Sequence, residues 1–326
     1  MMKTFMSVIY KRGILLMMLL VAPGLAGRAM AADAPVVTSP PAAKIVVGMY
    51  PMVINGFDTR ADSVKMNFYA WFKKQGVPYK TGEIEIINSP DATVIGSVEG
   101  ENAREGGNFS TLHYQATLDH HWDFKNYPFD HQVFDVIFEA SDPIDVTELV
   151  PDREQSVPNT NIKLQNWTFL KNDVVSSTVR YNTNFGDTSS FANDYSRVKF
   201  SYEYRHDGWR LFFNLYSAFF VCAIFCVLTN LFNDTEIRLQ LILTAVIGFI
   251  GNKYIVDSIV PEVAYFTLSD AIQVATFVTM LIALTGVVIE IYMRGPLKRM
   301  VNMGAAALSS LGYVGYIAYK LSLALV

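Results

Sequence analysis

Four long apolar stretches crowd the C-terminal part of the chain, and nothing else in the sequence limits its fold so strongly. They run over about 209–232, 236–260, 267–293 and 303–326. A helix rises about 1.5 Å per residue and a bilayer's hydrocarbon layer is about 30 Å thick, so each stretch is long enough to span it. The segment Arg294-Gly295-Pro296-Leu297-Lys298-Arg299 between the third and fourth carries three positive charges and no acid. The positive-inside rule puts it in the cytoplasm. Everything before Trp209, and the C-terminus, is then expected on the far side.

The remaining composition agrees with a chain that partly faces lipid: 326 residues, 51% hydrophobic and only 17% charged. The net charge of -4 and the lack of a long basic run exclude a nucleic-acid footprint. The two cysteines, Cys222 and Cys226, both fall in the first apolar stretch, so the part before it is expected to have no disulfide. They read as small buried hydrophobes rather than as a metal or redox pair. At the other end, Lys3, Lys11 and Arg12 precede the apolar run Gly13 to Leu25 and the small residues Ala29-Met30-Ala31. This is the pattern of a signal peptide over 1–31. An uncleaved anchor helix is the alternative, but Pro23 and Gly24 break the run. A Pro-rich linker, 32–43, follows.

From 44 to 205 the chain reads as β. Runs rich in β-branched and aromatic residues, Ser63 to Phe72, Thr111 to Leu118, Gln132 to Phe138 and Arg197 to Tyr204, alternate with Gly, Pro, Asn and Asp turns. Strict alternation in Val64-Lys65-Met66-Asn67-Phe68 and Val198-Lys199-Phe200-Ser201-Tyr202 gives each strand one core face and one wet face. Short strands at this spacing predict an immunoglobulin-like sandwich. The expected architecture is therefore an all-β extracellular sandwich, 44–205, followed by an all-α four-helix transmembrane domain, 206–326.

The second apolar stretch differs from the others. It holds Glu236, Arg238, Gln240, Thr244, Asn252, Lys253, Tyr254 and Asp257, more polarity than a lipid-wrapped helix tolerates cheaply. At about 100° per residue, Glu236, Gln240, Thr244, Ile247, Gly251, Tyr254 and Ser258 fall in a stripe roughly 80° wide. Such a stripe can line a water-filled axis, and it can also pack a bundle through hydrogen bonds. As a pore lining it puts a carboxylate ring, which attracts cations, at the cytoplasmic end and an aliphatic constriction at Ile247. Arg238 lies opposite, where its long stem is expected to carry the charge toward the cytoplasmic interface. Lys253 and Asp257, spaced i,i+4, are expected to form an ion pair away from the stripe.

The stretch Asp123-Phe124-Lys125-Asn126-Tyr127-Pro128-Phe129-Asp130-His131-Gln132 resembles the Phe-Pro-Phe-Asp-x-Gln signature loop of pentameric ligand-gated, Cys-loop receptor-like channels. Gly48 to Phe72, with its Gly56 to Asp62 turn, is similar to that family's first hairpin. Pro261 to Asp270 is similar to its linker between the second and third helices. The missing disulfide and the short linker after Tyr292 resemble the prokaryotic branch, although the first helix lacks the proline usual in its middle. The resemblance implies a homopentamer in the cell's inner membrane, with the sandwich on the periplasmic side. It also implies a gating interface of Asp58, Asp62, Tyr127, Pro128, Phe129, Asp130, Arg205, Pro261 and Tyr265, in which Asp130 pairs with Arg205.

In that family agonists bind between subunits beneath a hairpin that here corresponds to Tyr181 to Tyr195. The implied ligand residues are Tyr181, Phe185, Phe191 and Tyr195, whose rings suit a cation, with Glu139 facing them as an acidic contact. His113, His120, His121, His131 and His206 make protons an alternative stimulus. Adjacent His120 and His121 point opposite ways on a strand, which disfavours a shared metal. No metal site or cofactor is expected. No nucleophile elbow or phosphate loop stands in the needed context, so enzyme chemistry is not expected either. The expectation is a ligand- or proton-gated channel for inorganic cations, its small-molecule agonist unidentified. The alternative is a non-conducting membrane-anchored receptor of the same fold.

Overall fold

The structure, a computed structural model, describes residues 42–76, 79–102, 107–183, 185–186, 193–293 and 297–325. The expected signal peptide, most of the Pro-rich linker, Phe191 and Arg294-Gly295-Pro296 lie outside the described residues.

Nine strands come first among these residues: β1 (Ala43–Asp58), β2 (Ser63–Gln75), β3 (Ile84–Ile86), β4 (Thr93–Asn102), β5 (Gly107–Asp119), β6 (His131–Pro143), β7 (Thr147–Pro151), β8 (Trp167–Arg180) and β9 (Asp194–His206). They form one sheet in the order β4-β5-β2-β1-β7 and a second in the order β3-β6-β9-β8. Neighbouring strands are antiparallel except β1 and β7, which run parallel. The four β runs expected from the sequence lie within β2, β5, β6 and β9.

The period-two pattern decides which sides meet. Val64, Met66, Phe68, Ala70 and Phe72 of β2 are buried, as are Ser196, Val198, Phe200, Tyr202 and Tyr204 of β9. Phe68 and Phe72 meet Phe138 of β6 edge-on at 6.3 and 5.9 Å between ring centroids, so the two inner faces interdigitate. Each such ring stabilises the sandwich by about 1.5–3 kcal/mol through burial alone.

Four helices follow: α1 (Trp209–Leu228), continued by one 3-10 turn (Thr229–Leu231), α2 (Thr235–Ile259), α3 (Leu268–Tyr292) and α4 (Leu297–Ala324). Three segments, Trp209–Leu231, Thr235–Ile259 and Leu268–Tyr292, are long and apolar enough to cross a membrane. The fourth expected stretch differs from the other three. The last helix starts at Leu297 rather than near Met303, and it is not among the segments apolar enough by composition. Lys298, Arg299, Asn302, Ser309, Ser310 and Lys320 dilute it.

Helical spacing gives α1 a continuous inner face of Phe212, Leu215, Tyr216, Phe219, Cys222, Ala223 and Cys226. Both cysteines are free and pack with Ile242, Ala245, Met280, Ala283 and Val287. Asp234 caps α2 by accepting from the Glu236 backbone N–H at 2.8 Å, and Thr267 and Asp270 close a reciprocal capping box on α3.

The chain passes from sheet to bundle at Gly208, the residue before α1. A Cβ there would come within 1.8 Å of the Pro128 carbonyl oxygen, so the crossing is tight enough to require glycine. Gly208→Ala is expected to destabilise the protein by about 1–3 kcal/mol or more through backbone displacement. Gly304→Ala in α4, where a Cβ meets nothing within 4 Å, is expected to be neutral or slightly stabilising. Thermal unfolding of the detergent-solubilised protein checks both; equal melting of the two variants contradicts the assignment.

Candidate functional site

Along α2 the inward side consists of Arg238, Ile242, Ala245, Asn252 and Val256. Glu236, Gln240, Thr244, Ile247, Gly251, Tyr254 and Ser258 are all exposed on the single chain, Ile247 at 64% and Tyr254 at 74%. The polar stripe is thus uncovered by the described helices. Thr244 and Ser258 donate to the helix carbonyls of Gln240 and Ile255 at 2.8 and 2.7 Å, which satisfies their protons and leaves oxygen lone pairs facing out. Asn252 is turned inward and donates to the Leu215 carbonyl of α1 at 2.8 Å. Lys253 donates to Asp257 at 2.8 Å and to Gln273 of α3 at 3.1 Å, so the i,i+4 pair also ties two helices.

Arg238 departs from expectation. Its side chain does not reach toward an aqueous interface; the residue is 0% exposed. The guanidinium is ion-paired with Glu290 of α3 and donates to Asn230 after α1 at 3.4 Å and to Asn302 of α4 at 3.3 Å. Asn302 in turn donates to Glu290 at 3.1 Å, and the Lys298 ammonium lies 2.7 Å from the other Glu290 oxygen. A buried cation persists only where such partners replace water. Glu290 is the one acid in the run Ala271 to Ile291, and a lone charge in so apolar a helix is the sequence signal that points to the cluster.

At the other end of the helices, the loop 123–130 sits between sheet and bundle. Pro128 follows a cis peptide bond. Phe129 is buried among Phe212, Leu215 and Tyr216, with its ring 4.8 Å from Trp209. Tyr127 touches both the sandwich core and the helix core, and burial together with the Asp130 carboxylate pushes its phenol up to about 12. The α2–α3 linker closes the joint from the other side. The Phe124 N–H donates to the Tyr265 hydroxyl at 2.9 Å, the Leu268 N–H donates to the Lys125 carbonyl at 2.9 Å, and Val263 packs on the sandwich core. Pro261 helps line a polar cavity of about 410 Å³ with Lys253, Asp257, Glu262, Asp270 and Gln273.

The Asp130–Arg205 pair expected from the resemblance is not formed. Asp130 is 2% exposed, accepts from the Gln132 amide at 2.7 Å and lies 3.1 Å from Nδ1 of His206. The Arg205 guanidinium lies 3.8 Å from Asp207. Strand alternation is the reason: on β9 the core face is Ser196 to Tyr204 at every second residue, which puts His206 in phase and Arg205 out of it. The His206 ring also stacks on Trp167 at 4.5 Å. Asp58 accepts from the backbone N–H groups of Arg60 and Ala61, which hold its carboxyl below the usual range, so it caps its own turn. Asp62 stands in the same turn with φ +46° and accepts from the His120 N–H through its carbonyl at 2.7 Å.

At the β8–β9 hairpin, Tyr181, Phe185 and Tyr195 meet edge-on with ring centroids 5.2–6.0 Å apart. Glu139 is not the free acid expected there. It accepts from Arg197 at 2.8 Å and from the Tyr181 hydroxyl at 2.7 Å, so its charge is already balanced. Sequence reasoning missed Arg197, which sits across from Glu139 in the β6–β9 register.

No protein-family model matches this chain, and a search among curated proteins finds no significantly similar sequence.

His120 and His121 do face opposite ways, the first buried and the second exposed. Burial pulls the His120 imidazole below its ordinary value, against the opposing pull of its contact with Gln132, 3.2 Å away. A histidine depressed in the fold stays neutral there while the unfolded chain takes up a proton near pH 6.5. Its contribution is therefore intact above about pH 6.5 and is lost as the pH falls below it. Melting temperatures at pH 7 and pH 5 are expected to fall further in the native protein than in His120→Gln; an equal fall in both removes His120 from the acid response.

Proposed function

We propose that the chain is one subunit of a homopentameric channel for inorganic cations, opened by a small ligand or by protons. Its pore is lined by Glu236, Gln240, Thr244, Ile247, Gly251, Tyr254 and Ser258 of α2. One observation carries the reading: α2 commits one side to its own bundle and leaves the opposite, polar side exposed among the described residues. Lipid is a poor solvent for Gln240, Thr244 and Glu236, so a shared aqueous axis built by copies of the chain is the physical solution.

In this reading the sandwich is immunoglobulin-like, lies on the periplasmic side of the inner membrane, and takes the ligand between neighbouring copies at the Tyr181–Phe185–Tyr195 cluster. With Glu139 balanced by Arg197, the rings rather than that carboxylate carry recognition of a cation. The loop 123–130 and the linker at Tyr265 transmit the rearrangement, because they touch both halves. A ligand favours the open arrangement only by binding it more tightly than the closed one.

Planar-bilayer recording of the purified protein, stepped through pH and a panel of small amines, tests the proposal. Glu236→Gln is expected to lower the sodium-over-chloride permeability ratio roughly tenfold, and Ile247→Thr to leave the pore conducting without stimulus, since a hydroxyl ring wets where an aliphatic ring dewets. A well-formed pentamer that stays silent under every condition, Ile247→Thr included, sinks the channel and leaves the anchored receptor.

A further inference from the structure

We propose that Arg238 and Glu290 are a positioning pair that fixes the rotation of α2 and thereby aims Glu236, rather than Arg238, at the pore axis. The inference rests on the channel reading and deepens it.

Residues two positions apart on a helix point about 200° apart, so the directions of Arg238 and Glu236 are linked rigidly. The guanidinium is held by groups from three other segments: Asn230 beyond α1, Glu290 on α3 and Asn302 on α4. The neighbouring inward residues of α2, Ile242 and Ala245, contact Cys222, Cys226, Met280 and Ala283 through apolar surface, which has no preferred direction. Asn252 does fix an orientation, but it bonds to Leu215 fourteen residues further along, in the outer half of the helix. At the cytoplasmic half, direction among the described residues comes from the charge cluster.

The sign of the device follows from its geometry. If the cytoplasmic half of α2 turned so that Arg238 left its site, Glu290 would keep only Lys298 and Asn302, and a guanidinium would move toward the position of the carboxylate ring. Five positive charges there would repel the ions that five negative charges attract. The buried pair thus sets selectivity by position, without touching a permeant ion, and Glu290 and Arg238 are positioning residues.

Glu236→Cys supplies a reporter, because Cys222 and Cys226 are buried and free. The full chain in lipid nanodiscs, open on both faces, is labelled with a charged thiol reagent. Four backgrounds are compared: native, Glu290→Asp, Glu290→Gln, and the double variant Arg238→Gln with Glu290→Gln. Labelling is expected to slow roughly tenfold in Glu290→Gln and in the double variant, and to stay at the native rate in Glu290→Asp. The double variant removes both charges together, so the test survives if Glu290→Gln alone fails to fold. In bilayers, Glu290→Gln is expected to lose cation preference with Glu236 intact. Unchanged labelling in the double variant overturns the proposal. Labelling needs no current, so a silent native protein counts against the channel while the labelling rates still judge the pair.

Discussion

The structure depends on one loop that belongs to two cores at once. Within residues 123–130, Phe124 belongs to the sandwich core and Phe129 to the helix core, with Tyr127 packed against both. Tyr127 packs on both clusters, Phe129 is sunk among α1 side chains, and Val263 of the α2–α3 linker reaches back to the β core. An acid buried in such a joint, cut off from bulk solvent, must be satisfied by hydrogen bonds. Asp130 is satisfied by His206 and Gln132, and Gln132 is tied in turn to His120 and to the Asp123 backbone. Any rearrangement of the joint therefore has to move a connected set of hydrogen bonds, which makes a two-state response more natural than a graded one.

Much of the scaffold was legible because it follows from periodicity. Alternation in Val64 to Phe72 and Val198 to Tyr204 named the faces of β2 and β9, and the helical spacing of Gln240, Thr244 and Ile247 named the uncovered face of α2. What stayed hidden was partnership. Whether Asp130 meets Arg205 or His206 turns on a one-residue phase at the end of β9, where alternation has to be counted through the whole strand to be read. Glu139 reads from sequence as an acidic contact because Arg197, fifty-eight residues away, becomes its neighbour only through the β6–β9 register.

Arg238 failed as an expectation for a related reason. A long basic side chain near the end of a membrane helix usually reaches for water, and the partners that hold it instead lie on other segments, with Glu290 fifty-two residues along the chain as the only charged one that stands out in its helix. The fourth helix carries part of the answer. Its first two turns hold Lys298 and Asn302, both bonded to Glu290, so the residues that make α4 a poor membrane span by composition are the ones that complete the cluster. Its far end, Ala324, is buried against the helix core beneath Phe129.

These two ends explain how α2 can leave a polar face bare and still be held. The helix is secured at Arg238 below and at Asn252 and Lys253 above, in each case by polar groups that specify direction, while apolar contacts between them supply attraction without direction. A helix held this way can carry Gln240, Thr244 and Ile247 on its outer side without those residues taking part in the fold of the subunit. Their identity is then free to answer to whatever the exposed side meets. The same separation places the demanding electrostatics, a fully buried guanidinium and carboxylate, inside one chain where the geometry is fixed before any assembly occurs. In the proposed homopentamer, assembly has only to cover the polar stripe, and a water-filled axis would do so at the least cost in unsatisfied hydrogen bonds.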